Sequence, residues 1–415
     1  MAAVPGLFQI TGTCNNYAWG KKGRDSLAAR LREKTTRVDF AIQDDEYYSE
    51  LWFGDYPDFP GREVQDGRLL ADVIAANKEK LLGAHSLQKF GDHLPFLPKV
   101  LSIAKALPLQ IHPNKALAAK LHGEDPSKFS DANHKPEIAV ALSRFELFAG
   151  WKPLDQISPL FNAPSLRPFV PDDTAATAWT DDTLRSVVRG LLKADERTVQ
   201  AIEEELKQQP DEEYQRLGFP GSMSDLIGRL QAQYSQQDPG LLVAVLCMNF
   251  LVLQPGDGIF IPTDGVHAYV SGDIIECMAR SNNMLAGGLC PSPDRDDADL
   301  FADTLLLDKD STSVEKLRLP RKPAGDGSRG HTTVYQPPIG EFDVLRVDLR
   351  AGEEELLRAP KGPMVAIVVS GAGSITGDSQ ELDAREGFIF FVGAGTATAL
   401  RAREPMQVFA AAVRE

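Results

Sequence analysis

The sequence predicts a mainly β protein: two double-sheet β modules of jelly-roll type, with an α-helical subdomain inserted in the first. Three observations predict it. Residues 252–262 read as a strand, a Pro-Gly turn and a second strand. The same plan returns near the C-terminus, where 364–370 is a strand, Gly371-Ala372-Gly373 a turn and 386–392 a Gly-led strand. Between the two, apolar residues fall at helical spacing instead.

The elements follow in order. Residues 96–103 and 109–112 are β-branched and apolar runs that read as strands, and 138–150 reads as another, with Pro136 near its entry. From 153 the period changes. Helical apolar spacing runs across 182–208 at Leu184, Val187, Val188, Leu191 and Leu192, with Ile202 and Leu206 later. Residues 224–234 continue the pattern, with Ser224 as the expected helix cap. The predicted division is a first module at 1–152 and 236–316, a helical insert at 153–235 and a second β module at 330–415. The segment 317–330 is rich in Arg, Pro and Gly and reads as an exposed linker.

Composition narrows the function. A net charge of −15 argues against nucleic acid and anionic membranes as partners, so an anionic substrate needs a local cationic pocket. Residues 1–10 carry neither the basic nor the apolar region of a signal peptide. The most apolar stretch, 241–253, falls short of the roughly 20 residues of a membrane span. Cys14, Cys247, Cys277 and Cys290 show no C-x-x-C spacing, which fits reduced thiols and a cytoplasmic protein.

The chemistry concentrates in three blocks. Gln110 and His112 are two residues apart in a strand and therefore share a face, the beginning of a metal site. In Asn133-His134-Lys135-Pro136-Glu137 the proline biases Lys135 toward an extended backbone. Lys135 and Glu137 then point one way and His134 the other. His267 follows a turn in Pro262-Thr263-Asp264-Gly265-Val266-His267. Gln, His, Glu and His form a mixed N/O set suited to zinc or another divalent first-row ion. Apart from His331 at its entry, the second β module has no histidine, and none from 338 on, so only the first can hold such an ion.

These blocks resemble type I mannose-6-phosphate isomerase (phosphomannose isomerase), a family of the cupin type. The resemblance runs through Tyr17-Ala18-Trp19-Gly20, Glu50-Leu51-Trp52-Phe53-Gly54, Leu97-Pro98-Lys99-Val100-Leu101-Ser102-Ile103, Gln110-Ile111-His112-Pro113-Asn114-Lys115, His134-Lys135-Pro136-Glu137, His267-Ala268-Tyr269 and Gly272-Asp273-Ile274-Ile275-Glu276-Cys277-Met278-Ala279. It implies one zinc ion per chain on Gln110, His112, Glu137 and His267. It implies an aldose–ketose isomerisation of mannose 6-phosphate and fructose 6-phosphate through an enediol, by a monomer acting on a small sugar phosphate. Lys135, Glu276 and Glu50 are the implied catalytic groups. A carboxylate or a neutral lysine can serve as base, with Glu276 preferred. Lys99, Trp19, Tyr269, Arg280 and Arg295 are the expected substrate contacts.

One stretch departs from the family. Its usual S-D-N-V-V-R-A-G-L-T-P-K reads here Ser281-Asn282-Asn283-Met284-Leu285-Ala286-Gly287-Gly288-Leu289-Cys290-Pro291-Ser292. The family's arginine is Ala286, its lysine is Ser292, and the serine before the Gln-x-His strand is Pro108. Losing one charge-assisted hydrogen bond costs on the order of 1.5–3 kcal/mol in binding. Three accounts stay open at this point: Arg280 or Arg295 replaces the lost cation, the substrate is a different sugar or sugar phosphate, or the chain is a catalytically weak metal-binding paralogue with a sugar-binding or regulatory role.

Overall fold

The computed structural model describes residues 4–35, 39–172, 178–216, 221–234, 237–325 and 328–413. The expected insert boundary at 235 and residues 326–327 of the expected linker lie outside these.

The chain is rich in antiparallel sheet, with helices concentrated between residues 154 and 247. The spine of an eleven-stranded sheet is the long strand His267–Ala279. It pairs with Phe96–Ile103, Glu137–Ala141, Phe145–Trp151 and Leu109–Ile111. All eight residues of Phe96–Ile103 are buried, because both faces of this sheet are covered. Val100, Ile275 and Cys277 pack on one face against Ile138, Phe260 and, from the C-terminal module, Ile367 and Phe391. Leu101, Ile274, Ala139 and Tyr269 pack on the other. Lys99 and Glu276, each two residues from an apolar member of this second face, are cross-strand neighbours on it.

The C-terminal module is an eight-stranded and a four-stranded sheet packed on Leu349, Leu357, Val368, Ile375 and Leu400. The eight-stranded sheet also takes in the strand Leu7–Thr11, with Leu7 opposite Val392 and Ile10 opposite Ile389. The chain then crosses over, and Thr13–Asn15 pairs with Glu50–Trp52 in the first sheet. The first residues thus stitch the two modules together.

Three local expectations are corrected. Residues 138–150 form two strands, Glu137–Ala141 and Phe145–Trp151. The turn between them is drawn in by hydrogen bonds from Leu142 N and Ser143 N to Asp273 O, 2.8 and 3.2 Å. The run 182–208 is two helices, Asp181–Leu192 and Glu196–Gln208, the second capped by Asp195, whose Oδ1 accepts from Thr198 N at 2.8 Å. The next helix, Met223–Gln231, is capped by Ser222 and not Ser224: its hydroxyl accepts from Asp225 N at 3.1 Å. Ser222→Ala is expected to lower unfolding stability by about 1 kcal/mol, read from a urea titration.

The apolar run 241–253 is a buried helix, Pro239–Cys247, followed by the strand Met248–Leu253. Among the described residues no helix is long and apolar enough to cross a membrane. All four cysteines are free.

Candidate metal centre

The site is built where two loops are tied together. The strand Leu109–Ile111 ends just before His112, and Asn114 caps the helix Lys115–Glu124 by accepting from Ala116 N and Leu117 N, both 3.1 Å. Asp264, in the loop before His267, reaches across. Its carboxylate accepts from Asn114 N (2.8 Å) and Asn114 Nδ2 (2.7 Å), and its own N–H donates to His112 O at 2.8 Å. This clamp brings His112 against His267, ring centroids 5.1 Å apart. Glu137 begins the strand beside them, opposite Ile261 and Met278.

His112, Glu137 and His267 are all buried and their ligating atoms lie within 4.8 Å of one another. His112 Nδ1 sits 2.9 Å from Asn283 O and His267 Nδ1 3.2 Å from Gly265 O. A carbonyl only accepts, so each Nδ1 carries the proton. Burial, followed by the nearby Lys135 charge, pushes His112 down to about 3, which leaves its imidazole neutral. Its Nε2 lone pair then faces Glu137 Oε2 at 3.3 Å, and His267 Nε2 faces Oε1 at 3.1 Å. Among the described residues neither Nε2 has a hydrogen-bond partner. Lone pairs converging on a buried carboxylate repel unless a cation lies between them, so the donor set fits a bound metal ion. Gln110 stands opposite His267 in the sheet and lines the adjoining cavity.

The surroundings hold these donors in place. Tyr269 OH donates to Glu137 Oε1 at 2.7 Å. Asn283 Nδ2 donates to Asp131 O (2.6 Å) and Asn133 O (3.2 Å), fixing the carbonyl that orients His112. Asn283→Ala is expected to weaken metal binding about 10- to 100-fold, measured by competition with a chromogenic chelator.

Beside the triad lies a cavity of about 810 Å³. Lys99 Nζ sits in its floor between Glu276 Oε2 (3.2 Å) and Glu50 Oε1 (3.4 Å), 4.1 Å from the Trp52 ring centroid. Burial alone lowers a lysine, but the two carboxylates outweigh it and hold Lys99 above its usual range. Glu50 is saturated: Asn15 Nδ2 and Trp52 Nε1 donate to its Oε2 at 2.7 and 2.9 Å. Glu276 is pushed up to about 7, first by burial, against the pull of Lys99 and with Glu137 adding to the rise. Lys135 is lowered by burial and then by Lys99.

The cavity brings together Trp19, Glu50, Lys99, Gln110, Lys135, Glu137, Glu276 and Arg295. It does not bring in two expected contacts. Arg280 turns away to an ion pair with Asp55 and lies over the Tyr56 ring. Tyr269 is fully buried behind Glu137, so it supports a donor and does not face the cavity. His134 also points away, with Nε2 2.7 Å from Glu341 Oε1. Pro108, Ala286 and Ser292 all line the wall. Sequence reasoning missed Trp52, Lys105 and the supporting Asp264 and Asn283. Lys105 carried a signal, as the one cation between the strand at 96–103 and Gln110.

Comparisons with known proteins agree with this geometry. The phosphomannose isomerase type I catalytic domain matches residues 7–154. The mannose-6-phosphate isomerase of Ogataea parapolymorpha is 36% identical over 407 residues, covering 94% of both chains. That of Schizosaccharomyces pombe is 33% identical over 418 residues, covering 98% of this chain and 99% of the relative. The apo mannose 6-phosphate isomerase of Salmonella typhimurium superposes with a TM-score of 0.80 at 22% identity, over 99% of this chain and all of that one. A zinc-bound holo mannose 6-phosphate isomerase superposes equally well, at 0.80 and 22%. With full-length relatives above 30% identity and the donor triad in place, the chain belongs to the type I mannose-6-phosphate isomerase family.

Proposed function

We propose that this protein interconverts mannose 6-phosphate and fructose 6-phosphate, with one zinc ion held by Gln110, His112, Glu137 and His267. The observation that carries the reading is the pair of buried imidazole lone pairs aimed at Glu137, at the edge of a cavity that also holds Lys135 and Glu276. The relatives' shared activity favours it over a different sugar or a non-catalytic role.

When bound, the ion supplies positive charge beside the sugar's carbonyl oxygen. The remaining work falls to this chain. Glu276, raised toward neutrality, is the base that takes the proton from the carbon next to the carbonyl and returns it to the former carbonyl carbon, while the hydroxyl proton of the first carbon passes to the former carbonyl oxygen. Lys135, buried and without an ion-pair partner among the described residues, supplies a second positive charge where the oxygen becomes negative. Lys99 holds Glu276 in place, and Glu50 holds Lys99. Trp19 and Trp52 give apolar walls for the sugar ring.

The same reading extends to the architecture. The two β modules are cupin-type double sheets, the first within 1–152 and 236–316 and the second at 330–415, with the helical insert at 153–235; the strand Leu7–Thr11 is lent to the second module's sheet, and the helix Pro239–Cys247 packs with the insert. A cytoplasmic location accords with four unpaired thiols, and the protein is proposed to act as a monomer. The test is a coupled assay of zinc-loaded protein on mannose 6-phosphate. Turnover must exceed that of a Gln110→Ala, His112→Ala control, and equality between the two sinks the proposal.

A further inference from the structure

We propose that the sugar's phosphate is gripped at the mouth of the cavity by Arg295 and Lys105, in place of groups at positions 108, 286 and 292. The inference rests on the isomerase reading above and names the residues that select a phosphorylated sugar.

Four cations line the cavity: Lys99, Lys105, Lys135 and Arg295. Two are spoken for. Lys99 is enclosed between Glu50 and Glu276, and Lys135 is buried two residues from Glu137, beside the triad. Both therefore serve the end of the sugar where the proton moves. A 6-phosphate lies four carbons from C2, at the far end of the molecule. The wall at 286–293 offers it no cation, being Ala286, Leu289, Cys290, Pro291, Ser292 and Pro293.

Lys105 and Arg295 remain, and both are half-buried where the other two cations are buried. Arg295 is pre-set. Its Nη2 donates to Asp238 Oδ2 (3.0 Å) and Cys290 O (3.3 Å). Asp238 is itself fixed by the N–H groups of Gly240 (2.8 Å) and Cys290 (3.3 Å). Among the described residues Arg295 Nε is buried without a hydrogen-bond partner and no hydrogen bond engages Nη1. A guanidinium pinned through Nη2 holds Nη1 in a fixed position, from which it can donate to a phosphate oxygen. Lys105 has no carboxylate partner among the described residues. Its Nζ lies 5.7 Å from the Tyr47 ring centroid, free to act as a mobile point charge.

The charge of the whole cavity agrees. Its four cations are matched by Glu50, Glu137, Glu276 and Asp294. A divalent ion on the triad then leaves the cavity net positive, even with Asp238 counted against Arg295, which favours an anionic group on the substrate.

The test is calorimetric binding of fructose 6-phosphate and of fructose to the zinc-loaded protein. Lys105→Ala is expected to weaken fructose 6-phosphate about 10-fold, and Lys105→Glu further, with fructose binding unchanged. Arg295→Ala leaves Asp238 buried without its partner, so it is paired with Asp238→Asn. That double variant is expected to lose at least about 10-fold for the phosphorylated sugar alone. Unchanged binding in all three variants overturns the proposal, as does a wild type that does not prefer the phosphorylated sugar. A wild type that shows the preference and the losses but no turnover keeps the grip and removes the isomerase reading.

Discussion

Replacing His267 with alanine is expected to abolish stable zinc binding and to lower kcat/KM for mannose 6-phosphate by at least about 10³-fold. The magnitude follows from several kcal/mol of charge stabilisation supplied by the ion, at 1.36 kcal/mol per tenfold. The structural reason is local. His267 Nε2 and His112 Nε2 are the only buried nitrogens aimed at Glu137 within 3.3 Å among the described residues. Removing one leaves two strong donors and Gln110. A second readout separates metal loss from unfolding. Zinc should raise the melting temperature of the wild type, because it binds the folded state, and should leave His267→Ala unmoved. In the metal-free state the variant should be no less stable than the wild type beyond the cavity it creates, since it relieves a lone pair facing a carboxylate.

Glu276→Gln is expected to lower kcat by about 10²–10⁴-fold while the protein keeps its zinc and its affinity for fructose 6-phosphate. The substitution preserves shape and removes the proton acceptor together with one of the two negative charges beside Lys99, which Glu50 still pairs. The pH profile supplies the sign. Glu276 is raised to about 7 by burial, and only its ionised form accepts a proton. Wild-type kcat/KM should therefore fall as the solution is acidified below about pH 7. The residual activity of Glu276→Gln should lack that dependence. A variant with wild-type kcat and the same acidic limb would assign the base elsewhere, with Lys135 next in line.

How much of this was legible depends on the distance along the chain over which each fact is decided. Gln110 and His112 were readable because strand periodicity is two, and Lys135 and Glu137 because Pro136 between them biases the backbone at Lys135 toward an extended form. Their partners were not. Arg280 pairs with Asp55 across 225 positions, and no local pattern distinguishes that outcome from a cation facing the cavity. Tyr269 follows His267 by two in the same strand, and the family resemblance implied a substrate contact there. The strand places it beneath Glu137, where its hydroxyl serves the donor and not the sugar. Arg295 takes its orientation from Asp238, which belongs to the cap of a helix on the far side of the insert. The first strand was read with its sequence neighbours, yet it bonds into the C-terminal sheet nearly four hundred residues on. Turn chemistry and side-chain alternation are local and survive in the sequence. Ion pairing and sheet edges are settled only once the layers meet.

The most direct test of the central claim is proton NMR of mannose 6-phosphate incubated in D₂O with the zinc-loaded protein, beside the same protein stripped by chelator and the His267→Ala variant. The account predicts conversion to fructose 6-phosphate with solvent deuterium appearing at C2 of the recovered mannose 6-phosphate, in the loaded wild type alone. A loaded wild type with zinc bound at one per chain that neither converts the sugar nor exchanges its C2 proton would contradict it.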